Sequence, residues 1–236
     1  MLYDRTPGLV SVVVTNYNKA GYIEECLDSL KQQTYRSWEL IIVDDCSTDS
    51  SRKRIEDWLK NRRFRAGCSA VFLPMPRNVG FSGALTAGYF MAKGEFIAVQ
   101  DADDLSHLER LEKQVAYLQA HPQIGVVGTN YKLMEKNARG EITYTDAKWL
   151  KYGEQIKQTY LEGGHCVCHG TLLFRGTVFD RIGGLTRNIK GAEDYEFIAR
   201  CLTHKVEIEN IREVLYYYRS HSDQRSRQFY KNKGGK

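Results

Sequence analysis

Three carboxylates fall within four positions, at Asp101, Asp103 and Asp104. Like charges set this close repel one another, and a hard divalent cation held by oxygen ligands relieves the repulsion. A local reading competes with this one. An aspartate at a helix start caps free backbone N–H groups and is favoured by the helix dipole. That explains one aspartate but not three, so the cluster is read as a metal site, with Asp103 or Asp104 as the main ligand.

The elements around the cluster must bring it to a place where ligands bind. Phe96 to Val99 is a short apolar run, the pattern of a strand buried on both faces. A helix is expected after it, with Leu108, Leu111, Val115 and Leu118 forming one apolar stripe. The carboxyl ends of strands in an open α/β sheet line the ligand crevice, which is where the carboxylates fall. Upstream, Leu9 to Thr15, Trp38 to Val43 and Ala70 to Leu73 read as strands. Each is followed by a helical pattern, around Ile23 to Leu30, around Ile55 to Leu59, and over Ser82 to Lys93. With Ile124 to Gly128 as a fifth strand, the alternation predicts βαβ units and a parallel sheet at least that far. Beyond Asn130 the pattern becomes mixed: Glu141 to Asp146 as an edge strand, Thr171 to Phe174 as a strand, and Val178 to Ile182 as a short helix. Asp194 to Leu202 reads as a helix and Val214 to Tyr218 as the last strand. The fold class is α/β. A single domain is expected, with a nucleotide-binding half over about 9–130, a mixed half over about 131–221 and a basic tail over 222–236.

Three further segments end strands on the same side: Thr15-Asn16-Tyr17, Asp44-Asp45 and Arg77-Asn78. An aspartate accepting from a ring N–H, an arginine donating to a carbonyl and an aromatic ring against the base would together read uracil. Turn chemistry alone also favours these residue types. Glu193 and Asp194 follow Gly191 at a helix start, where capping competes with a general base as the explanation. His165-Cys166-Val167-Cys168-His169 lacks the two separated ligand pairs of a structural zinc site, so His169 is read as a pocket or core histidine. Arg219 and His221, after the last strand, either lie on the surface or face metal and phosphates.

The 236 residues carry a net charge of +5, too mild to imply nucleic acid. Arg212 to Lys236 holds seven basic residues against two acidic ones, a balance that equals the whole net charge. Such an end suits a phosphorylated ligand, peripheral contact with an anionic membrane, or solvent. No apolar run reaches membrane-span length, and the six scattered cysteines suit a reducing compartment, so a cytoplasmic location is expected.

In this order and spacing the segments resemble glycosyltransferase family 2, inverting enzymes of the GT-A fold that use nucleotide-diphosphate sugars. The resemblance runs from about Val10 to about His221. Val43-Asp44-Asp45-Cys46-Ser47-Thr48-Asp49 resembles the motif whose second aspartate, here Asp45, reads uracil, and Arg77 falls where the family's arginine contacts the base. Asp101-Ala102-Asp103-Asp104 matches the DxD motif that binds ribose and the diphosphate's metal, which implies Mn2+ or Mg2+. Glu193-Asp194 matches the pair whose aspartate is the base, and Tyr218-Arg219-Ser220-His221 resembles a motif whose histidine helps hold the metal. Cys46 departs from the family's usual glycine, and a turn conformation open to ordinary residues is expected there. The resemblance implies a nucleotide-diphosphate sugar donor, most simply a UDP-sugar, and a glycan, lipid-linked or other hydroxyl acceptor, with a homodimer left open. A sugar-1-phosphate nucleotidyltransferase and a non-catalytic sugar-nucleotide-binding module are the alternatives.

Overall fold

The computed structural model describes residues 4–187, 189 and 191–230. Runs of Val, Ile and Leu produce three central strands, β1 (Thr6–Asn16), β2 (Trp38–Asp44) and β4 (Gly94–Asp101). They pair in parallel, with β1 between β2 and β4 and with β3 (Cys68–Pro74) outside β2. Because side chains alternate along a strand, β1 feeds two cores. Val12 and Val14 pack with α1 (Ile23–Lys31), α2 (Ser51–Lys60) and α4 (Arg110–Ala120). Val13 faces α3 (Phe81–Met91), α6 (Gly176–Ile182) and α7 (Glu193–Thr203) on the other side. The small residues of α3 serve this packing: a Cβ on Gly88 would lie 2.3 Å from Val13 Cγ1.

The second half extends the same sheet with mixed polarity. β8 (Leu173–Arg175) pairs antiparallel with β4 and with β6 (Ile124–Lys136), and β9 (Glu207–Ser220) runs parallel to β6. β5 (Leu105–Ser106) pairs with β9, and the exposed β7 (Ile142–Asp146) pairs with β6. The expected parallel sheet through the fifth strand is therefore interrupted: β6 runs in the direction of β4, but the later strand β8 lies between them. The helix stripe expected to include Leu108 starts later, at Arg110. The chain first pairs through β5, which leaves Leu108 48% exposed. Thr171, expected in a strand, closes a 3-10 turn over His169–Thr171. Helix α5 (Glu154–Leu161) was not legible, and the basic tail expected from residue 222 contains α8 (Arg225–Tyr230). Residues 231–236 lie outside the described residues. No described helix is long and apolar enough to cross a membrane.

Candidate active site

Sheet register brings the strand ends level. Thr15 pairs with Val43 and Asp101, and Asn16 with Asp44. Asn16 Nδ2 donates to Asp44 Oδ1 at 2.7 Å and Ser47 Oγ at 3.1 Å, so this buried side chain ties the first two turns together. Tyr17, 46% exposed, leaves its ring free for a planar ligand. Asp45 is buried, and its carboxylate accepts from Val79 N at 2.6 Å and Gly80 N at 2.9 Å. Burial pushes its pKa up. The sequence reading aims Asp45 at a base. In the structure its two hydrogen bonds order the turn between β3 and α3, which carries the exposed Arg77. Cys46 overturns the expectation made for it: its φ is 60°, the left-handed region that glycine favours.

The acid cluster separates into three roles. Asp103 Oδ2 receives Lys19 Nζ and His221 Nε2, each at 2.8 Å. Burial acts to raise the Asp103 pKa, but the hydrogen bond from His221 and the charge of Lys19 leave it below the usual range. Asp101 has no hydrogen bond to its carboxylate among the described residues, and burial plus the charge of Asp103 pushes its pKa up to about 7. Asp104 is buried, with Oδ2 accepting from Tyr216 Oη at 2.9 Å and Oδ1 from Arg219 N at 2.8 Å. Asp104, the other expected metal ligand, is engaged with β9 through these bonds. No group of three or more His, Cys, Asp or Glu among the described residues is arranged to hold a metal by itself. The donor set that fits a divalent cation is Asp103 with His221, beside Asp101. Burial is the main cause of the raised Asp101 pKa, and the second cause, the charge of Asp103, is what such an ion would neutralise.

Sequence reasoning missed the support beneath these acids. Arg110 is fully buried and donates to Gln100 Oε1 and Ser106 Oγ, both at 3.0 Å, to Val99 O at 2.9 Å and to Leu172 O at 3.2 Å. Its Nε reaches Gln114 Oε1 at 3.0 Å, and the guanidinium lies 5.1 Å from the Tyr216 ring centroid. The available signal was a polar pair, Arg110 and Gln114, four apart on a helix whose other inward residues are apolar. Gly170 lets the chain pass close by, since a Cβ there would meet Tyr216 Oη at 2.8 Å and Asp101 Oδ2 at 2.9 Å.

The chain after β9 closes over the cluster. Arg219, expected in the donor or acceptor pocket, donates from Nε to Asp103 O at 2.8 Å and from Nη2 to Glu25 Oε2 at 2.6 Å, which anchors this arm. His221 packs against the Tyr22 ring at 4.6 Å, and Lys19 Nζ also donates to Asp223 O at 3.2 Å. Lys19 was not foreseen: nothing in a turn sequence says which way a lysine reaches. Arg225 on α8 then pairs with Glu193, which also accepts Gly191 N at 2.9 Å. Glu193, expected in the donor or acceptor pocket, is buried and acts as the latch between α8 and α7.

Asp194, at the start of α7, is only partly buried and has a different setting. Its Oδ2 lies 3.5 Å from His165 Nε2, and Oδ1 accepts Tyr195 N at 2.8 Å. His165 Nδ1 is 2.6 Å from Tyr160 Oη. If the hydroxyl donates to Nδ1, the imidazole proton sits on Nε2 and points at Asp194. Burial raises the Asp194 pKa, but the His165 bond and the nearby histidines bring it down to about 2, so the carboxylate is ionised at neutral pH. His169 is buried between Phe81 and Phe197, and burial pushes its pKa down to about 4. It is neutral at pH 7, which leaves His165 as the main partner of Asp194. Sequence reading had considered His165 only as a zinc ligand, because nothing links it in the chain to a carboxylate 29 positions later.

Residues 11–183 match the family model for glycosyl transferase family 2. EpsE of Bacillus subtilis (strain 168) is 30% identical over 216 residues, which cover 91% of this chain and 74% of EpsE. The amylovoran biosynthesis glycosyltransferase AmsE of Erwinia amylovora is 26% identical, covering 91% of this chain and 77% of AmsE. Among solved structures, S. aureus TarS residues 1–349 in complex with UDP-GlcNAc is similar with a TM-score of 0.69 at 23% identity. The mannosyltransferase PcManGT from Pyrobaculum calidifontis, in complex with GDP-Man and Mn2+, is similar with a TM-score of 0.65 at 22% identity. The matched regions cover 92% and 88% of this chain, and the chain spans 60% of that TarS chain and 56% of PcManGT.

Proposed function

This chain belongs to glycosyl transferase family 2 and has the GT-A fold, and on that premise we propose that it is an inverting, metal-dependent enzyme moving a sugar from a UDP-sugar to a glycan or lipid-linked hydroxyl. The observation that carries the reading is the convergence of Lys19 Nζ and His221 Nε2, each at 2.8 Å, on Asp103 Oδ2 at the carboxyl end of β4. A carboxylate set this way suits a site for a metal-bound diphosphate. TarS, a structural neighbour, holds UDP-GlcNAc, which supports the donor class. PcManGT is complexed with Mn2+, which supports the ion.

Asp103 and His221 would hold a divalent ion, with Asp101 at the ribose. Such an ion supplies neutralisation of the charge that builds on the leaving diphosphate. Lys19 adds a positive charge at the same carboxylate. Tyr17, Arg77 and Asp45 are proposed to read the uracil. On the acceptor side Asp194 takes the hydroxyl proton as that oxygen attacks the anomeric carbon. His165, with Nε2 3.5 Å from Asp194 Oδ2 and Nδ1 bonded to Tyr160, helps hold the carboxylate in one orientation while the proton moves. A single base and a direct displacement invert the anomeric configuration. The arm anchored by Arg219 and latched by Arg225 to Glu193 keeps water from the diphosphate side.

Titration calorimetry with uridine diphosphate tests this reading. With Mn2+ present, UDP should bind tighter than GDP, and either chelator or Asp103→Asn should weaken it by about tenfold or more. Tighter binding of GDP, or UDP binding unchanged by chelator, would contradict the proposal.

A further inference from the structure

We propose that Trp149 is a stacking platform for a pyranose ring of the acceptor, set beside the His165–Asp194 pair. This deepens the reading above and rests on Asp194 as the acceptor-side base. Two of the three tryptophans, Trp38 and Trp58, are core residues at 3% exposure, whereas Trp149 is 36% exposed. Its exposure does not come from a loose loop. The indole Nε1 donates to Tyr131 Oη at 2.8 Å, which fixes the ring's orientation. The segment around it is pinned by Ala147 N to Tyr131 O at 3.1 Å, by Asn210 Nδ2 to Lys151 O at 2.7 Å and by Gly153 N to Glu209 Oε1 at 2.8 Å. Leu150, the next residue, is buried.

The position of this ring gives it a purpose. Trp149 and His165 lie with ring centroids 5.3 Å apart and planes 32° from parallel, and His165 Nε2 is 3.5 Å from the Asp194 carboxylate. Tyr195, next to Asp194 in the chain, has its ring 6.0 Å from His165. An acceptor hydroxyl delivered to Asp194 therefore belongs to a molecule lying along an aromatic wall. One face of a pyranose is lined by C–H groups that pack on an indole, while its rim of hydroxyls remains free to hydrogen-bond. A rigid, oriented aromatic beside the proposed base suits that ligand better than an extended polyol, which presents no such face. The donor's base and diphosphate are proposed at the ends of β1, β2 and β4, so the platform serves the other substrate.

Saturation-transfer NMR on the full chain tests this, with the methyl glycosides of glucose, galactose, N-acetylglucosamine and mannose as probes and glycerol as the open-chain control. At least one glycoside should receive saturation on its ring protons, and glycerol should receive none. Trp149→Ala should reduce that signal about fivefold or more, and Trp149→Phe should restore most of it. Trp149→Gln, closer in bulk, should lose the signal too and covers the case in which the alanine variant loosens the loop. The proposal is overturned if no glycoside is saturated, if glycerol is saturated equally, or if both the alanine and glutamine variants bind like wild type. UDP in the same tube reads the donor side of the wild-type protein. UDP bound without any glycoside removes the platform alone, and neither bound removes the proposed function with it.

Discussion

Cys46 occupies left-handed backbone at φ 60°, one residue past Asp45 in the turn after β2. A side chain there costs roughly 1 kcal/mol in steric strain, which glycine would relieve while adding some freedom to the unfolded chain. Cys46→Gly is therefore expected to stabilise the fold by about 0.5 kcal/mol, read as a higher urea midpoint with an unchanged slope. The sequence reading took the cysteine as a sign that the turn avoids this conformation. Residue type was a poor guide because the turn is fixed by its neighbours: Ser47 N donates to Asp44 Oδ2 at 3.0 Å and Asn18 N to Ser47 Oγ at 2.9 Å. Asp101 gives a second prediction at this scale. Burial and Asp103 hold its native pKa at about 7, above the ordinary value of 3.8. Between those values the native state keeps a proton that the unfolded chain has released, so stability falls as pH rises from about 4 to about 7. Asp101→Asn, which does not titrate, should remove that fall. In chelator at pH 8 it should be more stable than wild type by on the order of 2 kcal/mol, and a variant no more stable than wild type would place the strain elsewhere.

The elements of the first half were legible because each strand is a run of buried apolar residues followed by one helical stripe. Their parallel pairing put Thr15, Asp44 and Asp101 at one level, as the alternation predicted. The second half was less legible because its pairing is long-range: β8, which starts 37 positions after the end of β6, enters between β4 and β6, and no local pattern announces that. The Arg110 network belongs to the same class, joining α4 to β4, β5 and the backbone at Leu172 through one buried cation. A lysine cannot reproduce a planar fork that serves five acceptors. Arg110→Lys should cost about 3 kcal/mol of stability in chemical denaturation, a loss of unsatisfied buried partners rather than of surface charge. A cost under about 0.5 kcal/mol would mean the network is replaceable by water.

At the scale of the whole molecule, one continuous sheet joins the first and second parts of the chain. The motifs for the proposed nucleotide side were readable as short segments in order, whereas the proposed acceptor side was readable only at Asp194. Its partners, His165, Tyr160 and Trp149, come from α5 and the loops flanking it, a region that carried no motif. The basic C-terminal end is also not a uniform surface: Arg219 and Arg225 are bonded inward to Asp103, Glu25 and Glu193, which joins the end of the chain to both halves of the site. The most direct test of sugar transfer with Asp194 as base is release of uridine diphosphate from a panel of UDP-sugars with Mn2+ and glycoside acceptors. Wild type should turn over at least one donor, and Asp194→Asn, nearly identical in shape, should bind UDP as before while turnover falls about a hundredfold or more. Equal turnover by Asp194→Asn, or no turnover of any donor by the wild-type chain, would contradict the account.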